Sequence, residues 1–433
     1  MTQIAVVADD LTGANATGVL LRKEGFSAGT LLAGCGPGDL DCDCLIFPTN
    51  SRSIDRAEAR KRVLEAAQAL AAPGIRLYSK RIDSTLRGNL GAETDAMLEA
   101  LGDEWIAVVV ACFPRAKRIT VGGRLLVDSV PLHLTEAAAD PRNPIRTPVV
   151  KDIFLAQTGH RARSIYIEEL SGGPDRVAGL IAGAAAEGIR IVIVDAMSEG
   201  DLETIALGAA RSGVPFVAVD PGAFTAACAK AMAAERPQAA VAKVAGKKTL
   251  AVVGSVNGIA AGQVFRFLEK TRCHNVFLDT GKAIGSPQEH EGEIRRVKAE
   301  IAAAASDFDV LSVVGSGICP LCRIDLGKET AGGKSGDDIS GAINGMLAEI
   351  ARDLLTDDKS FGGLYTCGGD ISVAVCGALG ASALELHSEV VPLASFGELR
   401  GGPFDGLKFV TKGGMVGDED AIVTCVEYLQ SKI

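Results

Sequence analysis

The sequence predicts an α/β protein of two domains, each with a largely parallel sheet flanked by helices. Three observations carry that prediction. Short β-rich runs alternate with alanine-rich helical stretches along the whole chain, as parallel strands with helical crossovers require. The strand runs are apolar almost without interruption, which fits a sheet covered on both faces. The chain has 433 residues, too many for one ordinary core.

In order, IAVVA opens the chain as a first strand and leads to a helix near 15–24. CLIFP precedes a helix over 56–71, and IRLYS one over 91–101. WIAVVVACF at 105–113 reads as a strand, and RIVIVDA at 190–196 as another, followed by a helix over 201–212. Between about 231 and 247 strand character is lost, a proline intervenes and three lysines surround a glycine. TLAVVGS then starts a new βα series, which sets the domains at 1–235 and 246–433.

Composition narrows the function classes. With 47% hydrophobic and 23% charged residues the chain can bury large cores. MTQIAVVADD lacks the basic start and small-residue cleavage site of a secretion signal, and no apolar run approaches the roughly 18 residues of a membrane span. A cytoplasmic location is the expectation, and the eleven cysteines are then reduced thiols, mostly in the core. Cys319-Pro-Leu-Cys322 is a lone CxxC with no second pair to complete a zinc site. A net charge of −10 argues against nucleic acid, and one Trp with four Tyr offers no stacking platform.

Candidate chemistry gathers where predicted strands end. Asp9 and Asp10 close the first strand, and ligands of open parallel sheets bind beyond the carboxyl ends of strands. Two adjacent acids exceed the need for one helix cap. KRIDSTLRGN at 80–89 occupies a strand-to-helix turn at the same edge. There Lys80 and Arg87 suit a carboxylate, while Asp83, Ser84 and Thr85 suit hydroxyls. Thr49-Asn50-Ser51-Arg52-Ser53 is a similar edge segment, and FPRAKRITVGGR at 113–124 is basic, its cations readable as surface charges. His133 beside Glu136 reads as a structural histidine. In the second half, strands run into Gly254-Ser255, Gly315-Ser316 and Gly368-Gly369-Asp370, which would bring backbone amides and helix N-termini to one edge, as phosphate binding needs. AGGKSG at 331–336 is not a P-loop, because Lys328 stands where the leading glycine belongs. No G-x-G-x-x-G follows the first strand.

Together the stretches ADDLTGAN, KRIDSTLRGN, FPRAKRITVGG, VPLHLTE, VVGS, CGGDIS and VTKGGMVGDED resemble the four-carbon acid sugar kinase family, in family order over nearly the whole chain. The resemblance implies an acid-sugar domain followed by a nucleotide domain. It implies ATP and Mg2+ as cofactors and phosphorylation of a terminal hydroxyl of threonate, erythronate or 3-oxotetronate. The acid-sugar site implied uses Asp10, Arg52, Lys80, Asp83 and Ser84, with Asp9 and Arg87 beside them. The nucleotide site implied uses Ser255, the turn Gly368, Gly369, Asp370 and Ile371, and Gly413 or Gly414, while no metal ligand is assigned. The partners expected are a small acid sugar and ATP, without nucleic acid or membrane, a homodimer being left open.

Two positions depart from the family pattern. Ile371 stands where the turn usually carries a hydroxyl, with Ser372 next in line to replace it, and Ala16 follows Asn15 where an aspartate is usual. In the mechanism expected, Asp10 or Asp83 is the base and Arg52, Lys80 and Arg87 hold the sugar acid. A nucleotide- or metabolite-binding regulator of the same fold is the alternative that Ile371 favours. A sugar-acid isomerase or aldolase is a third reading, in which the Gly368 turn is dispensable.

Overall fold

The computed structural model describes residues 2–32, 34–140, 143–232, 247–325, 329 and 333–433. The domain borders expected at 235 and 246 lie outside these residues, as does part of AGGKSG. The Cα positions divide into two compact units, one from each half of the chain.

The first unit contains β1 (Ile4–Ala8), α1 (Leu11–Lys23), β2 (Ala28–Leu31), β3 (Cys44–Pro48), α2 (Arg56–Leu70), β4 (Leu77–Arg81), α3 (Leu90–Leu101) and β5 (Ile106–Val109). A hairpin sheet follows, β6 (Arg118–Val121), β7 (Arg124–Val127) and β8 (Val130–Pro131). Then come α4 (Val150–Leu155), β9 (Ala162–Ile165), α5 (Gly173–Ala186), β10 (Ile191–Val194), α6 (Glu199–Arg211), β11 (Phe216–Asp220) and α7 (Ala223–Met232). Its main sheet runs β2-β3-β1-β4-β11-β5-β10-β9, every neighbour parallel.

In the second unit lie β12 (Lys248–Val253), α8 (Gly258–Lys270), β13 (His274–Leu278), α9 (Thr280–Ala283), α10 (Pro287–Ala304), β14 (Val310–Gly315) and α11 (Gly336–Asp357). They are followed by β15 (Phe361–Cys367), α12 (Gly369–Ala378), β16 (Ala383–Val391), β17 (Ala394–Arg400), β18 (Lys408–Lys412) and α13 (Ala421–Gln430). Strand order here is β13-β14-β12-β15-β18-β17-β16. The first five are parallel, and β17 runs antiparallel to β18 and β16.

The apolar strands explain themselves through burial. Every residue of β1, β5, β10 and β14 is buried, so neither sheet face has a solvent side to alternate with, and β4 is as buried although it carries Ser79, Lys80 and Arg81. One core joins Val7, Met97, Phe154, Ile191 and Val217, and another joins Val253, Val264, Phe267, Tyr365, Phe396 and Val426. Each such side chain contributes about 1.5–3 kcal/mol on burial. Seven of the eleven cysteines are buried, and all are free thiols. Among the described residues no helix is long and apolar enough to cross a membrane.

Two boundaries differ from the sequence expectation. α1 starts at Leu11 and not near 15, because Asp10 is extended (φ −148°, ψ 164°) and its carboxylate accepts the Gly13 amide at 2.8 Å, capping the helix early. The strand expected over 105–113 stops at Val109. Beyond it Phe113 and Arg118 exchange backbone hydrogen bonds of 2.8 and 3.1 Å across the turn Pro114–Ala116, which starts the hairpin sheet.

Candidate active site

In the first unit β1 lies between β3 and β4 in a register that pairs Ala8 with Pro48 and with Arg81. Whatever follows those residues therefore leaves the sheet at one edge. Asp9 and Asp10 come from β1, Ser51 and Arg52 from β3, and Asp83 and Ser84 from β4. An ionic lattice binds them. Arg52 reaches Asp9 through Nε at 2.7 Å and Asp10 through Nη2 at 2.8 Å, with Asp83 at 3.6 Å. Arg81 Nη1 spans both acids of β1, at 2.7 Å from Asp9 and 2.8 Å from Asp10. Burial would raise the Asp9 carboxyl, but Arg52, Arg81 and Lys80 outweigh it and hold it at about 2 against an ordinary 3.8.

The Arg81 guanidinium lies over the first turn of α1, and only a glycine admits it. A Cβ on Gly13 would fall within that guanidinium. Gly13 thus serves the site by close approach, while its amide is the one Asp10 caps.

The turn Asp83–Gly88 is built around its aspartate. Asp83 Oδ2 accepts from the Thr85 amide at 3.2 Å, the Thr85 hydroxyl at 2.5 Å and Arg87 Nε at 2.8 Å. Oδ1 accepts Arg87 Nη2 at 3.0 Å. Burial pushes the Asp83 carboxyl up, and Arg52 with Arg87 more than reverses this, holding it well below 3.8. Leu86 in this turn is left-handed (φ +57°) although it is not a glycine, and its buried side chain joins the core. Asn89 ties the turn to the β3 loop through the carbonyls of Ser51 and Ile54, both at 3.1 Å.

The lattice also sorts the residues expected to bind a sugar acid. Lys80 is drawn into the interior. It is 0% exposed and pairs with the equally buried Glu93 of α3 at 2.7 Å, so its charge is neutralised inside the protein. Successive strand residues point to opposite faces, and it is Arg81, the next residue, that meets the aspartates. Arg87 is engaged by Asp83 and by Asp140 at 3.1 Å. At Asp10 the Gly13 amide, Arg81 and Arg52 all land on Oδ1, so among the described residues no donor occupies Oδ2, and the side chain keeps 22% exposure. Ser84 makes no side-chain hydrogen bond to a described residue, whereas Thr85 is committed to Asp83. His133 is exposed on a short 3-10 turn.

In the second unit β14, β12, β15 and β18 are neighbours, so the predicted glycine turns share one edge. Gly254 donates to the Cys367 carbonyl at 3.3 Å, and Gly368 to that of Lys412 at 2.9 Å. A Cβ on Gly414 would collide with Ser255 Oγ, which places the 413–414 loop directly against Ser255. Gly368 takes φ +120° to open α12, and the first-turn amides of Gly369, Asp370 and Ile371 have no acceptor within the helix. These amides, Ser255 and the 413–414 loop gather at one edge as a cradle whose free N–H groups have the chemistry an anion would need. Asp370 is exposed beside it, without an ion pair among the described residues.

Ser372 does not replace the missing hydroxyl of position 371. It is fully buried and bonded to the Gly368 carbonyl at 2.7 Å and to Thr366 and Thr411, both at 2.8 Å. Ile371 turns its side chain inward against Gly254 and Gly368 and leaves only its amide for the cradle. Two supports escaped the sequence reading. Lys412, 0% exposed, donates to the carbonyls of Gly413 at 2.8 Å and Val416 at 3.1 Å, and Gln263 reaches those of Val416, Gly417 and Asp418 at 2.9, 3.1 and 2.7 Å. Lys412 stands in the VTKGGMVGDED stretch beside the glycines that drew attention there, and Gln263 lies outside every motif. A groove lined by Lys298, Ile301, Leu354 and Phe361 lies at the opposite, amino end of β15, away from the glycine turns of its own unit, and its lysine is paired with Asp353 and Asp357.

Residues 4–228 match the family model of a sugar-binding N-terminal domain, and residues 250–422 that of a nucleotide-binding C-terminal domain. The chain is 42% identical over 443 aligned positions to a D-erythronate kinase of Heliobacterium modesticaldum, covering 100% of this chain and 98% of that protein. It is 30% identical to a D-threonate kinase of Salmonella typhimurium, over 99% of this chain and 98% of that one. A crystal structure of a DUF1537 protein from Haemophilus influenzae shares the fold with a TM-score of 0.71 at 24% identity, over 98% of this chain and 100% of its own.

Proposed function

We propose, for a chain that belongs to the four-carbon acid sugar kinase family, that it phosphorylates a four-carbon acid sugar with ATP and that D-erythronate is its preferred acceptor. The observation that carries the reading is Asp10. Its carboxylate is fixed through one oxygen at the carboxyl edge of a parallel sheet, and the other oxygen is left to meet a substrate hydroxyl.

Phosphoryl transfer asks mainly for positioning and for charge to be met where it develops. Asp10 Oδ2 orients the attacking hydroxyl and receives its proton as the new P–O bond forms and the bond from the γ-phosphorus to the departing ADP oxygen breaks. Asp9, Arg52, Arg81 and Asp83 act on Asp10 and on the walls of the site, fixing them before the substrate arrives. Ser84 supplies a hydroxyl for the diol. In the second unit Ser255, the amides of Gly369, Asp370 and Ile371, and the Gly413-Gly414 loop hold the phosphates. Mg2+ fits this donor set, since Asp370 is an exposed carboxylate beside phosphate-directed amides and Ser255 adds a second hard oxygen. When bound, the ion supplies charge neutralisation on the transferring phosphate. Because Ile371 offers its amide, its apolar side chain does not count against nucleotide binding.

The test is ADP release by the purified chain with ATP and Mg2+, in the presence of D-erythronate, D-threonate or 3-oxo-tetronate. Acid-dependent release, largest in kcat/KM with D-erythronate, is expected. ADP release that no acid accelerates would sink the reading.

A further inference from the structure

We infer that Lys412 is a positioning residue for the nucleotide's phosphates: it turns the amides of the 413–417 loop outward, and its buried charge finds its counter-ion in the anion they hold. The inference rests on the kinase reading above for the identity of that anion. It starts from the buried lysines. Among the described residues Lys80, Lys408 and Lys412 are buried, at 0%, 1% and 0% exposure. Lys80 is paired with Glu93 at 2.7 Å, and Lys408 with Glu398. Lys412 has no ion pair with a described residue. Its ammonium donates to two carbonyls, those of Gly413 at 2.8 Å and Val416 at 3.1 Å. Opposite it on the neighbouring strands stand Ala394 and Cys367, neither of them a carboxylate. Carbonyl dipoles solvate a charge without cancelling it, so this ammonium is left one anion short.

The same two hydrogen bonds set the direction of the loop. Every described peptide is trans, and in a trans peptide the N–H points opposite to the C=O. With the carbonyls of Gly413 and Val416 turned to Lys412, the amides of Gly414 and Gly417 point away from it. Neither amide donates to a described residue. Gln263 reinforces the arrangement by donating to the Val416 carbonyl at 2.9 Å. Gly414 lies against Ser255, since a Cβ there would collide with Ser255 Oγ, so its amide belongs to the cradle. Lys412 also accepts the Gly368 amide through its own carbonyl at 2.9 Å. One residue thus holds both the loop and the turn that opens α12.

An anion on the Gly414 amide is separated from the ammonium by a single peptide unit, in an interior where charges act on one another more strongly than in water. Lys412 does not touch the ligand, and its effect grows with the ligand's negative charge. Affinity is thereby graded by the number of phosphates.

The experiment measures dissociation constants and melting shifts of the full chain, without acid sugar, for adenosine, AMP, ADP, ATP and inorganic tripolyphosphate. Wild type is expected to bind more tightly with each added phosphate and to be stabilised by tripolyphosphate alone. Lys412→Gln keeps a donor for one carbonyl and removes the charge. It should weaken ATP and tripolyphosphate roughly 10- to 100-fold, the scale of two unit charges a few Å apart inside a protein, and leave adenosine within about twofold. Ala394→Asp acts in the opposite way, setting a carboxylate across the sheet from an intact Lys412, and should give the same graded loss. In turnover, Lys412→Gln should raise KM for ATP while KM for the acid sugar stays within about twofold. Graded losses in a chain that shows no turnover support the assignment and remove only the kinase reading. The assignment is overturned, with the kinase reading intact, if turnover persists and either folded variant keeps the wild-type affinity for ATP or loses adenosine as steeply. It is overturned without any variant if wild type binds ATP no more tightly than adenosine or is not stabilised by tripolyphosphate.

Discussion

At Asp10 three donors share one oxygen, whereas at Asp83 donors cover both, and the two carboxylates accordingly do different work. Asp10→Asn keeps the shape and removes the basic oxygen. Its kcat is expected to fall by about 10²–10⁴ with a small change in melting temperature. Asp83→Asn instead leaves Arg87 with one carboxylate fewer and a strained Leu86 with less to hold it. There the loss is expected chiefly in stability, about 3–5 kcal/mol by urea unfolding. An Asp10→Asn protein within tenfold of wild-type kcat would move the base elsewhere. Both aspartates were legible in the sequence as acids where strands end. What the sequence left open was which oxygens stay unoccupied, since that depends on Arg52 and Arg81 arriving from separate strands. Lys80 and Arg81 show the same limit: a strand's alternation says that they face opposite ways, but only the position of α3 says which way is inward.

Between elements, the Lys80–Glu93 pair fastens α3 to β4 without water around it. Removing one partner leaves the other charge buried and unmatched. Lys80→Met should therefore destabilise the first unit by about 3–5 kcal/mol, and the double variant Lys80→Met/Glu93→Leu should regain most of that. Urea midpoints of the two variants decide it, and equal midpoints would show that the pair is not the fastening. The βα alternation was readable because most strands buried on both faces are apolar along their length, β4 with its Lys80 and Arg81 being the exception. The β6–β8 sheet was not, because its strands of four, four and two residues are too short for any period to emerge, and Gly122-Gly123 reads as loop. The glycine turns of β12, β15 and β18 were found, yet their shared edge follows from a strand order that no motif encodes.

Across the molecule, each unit places its polar groups at the carboxyl ends of parallel strands, one as a lattice of charges and the other as a cradle of amides. The lattice makes stability depend on acid. Asp9 and Asp83 have folded pKa values below their unfolded ones, so their contribution is complete above about pH 4 and is lost as pH falls through the folded values. For Asp9, held at about 2 against 3.8, this is about 2 kcal/mol. Urea unfolding of the full chain is expected to weaken between pH 4 and about 2, and Asp9→Asn to flatten that fall. An unfolding free energy constant over that range would contradict the lattice's ionic character.

Lys80 and Lys412 have one more consequence. Both are 0% exposed, one in each unit, and each ammonium is anchored to its own unit's backbone, at the Arg81 carbonyl and at the Gly413 carbonyl, both 2.8 Å away. An amine-acylating reagent can modify either only after local opening. The two lysines are thus built-in reporters, and their acylation rates, read separately by mass spectrometry, time the opening of each half of the chain without any label being introduced.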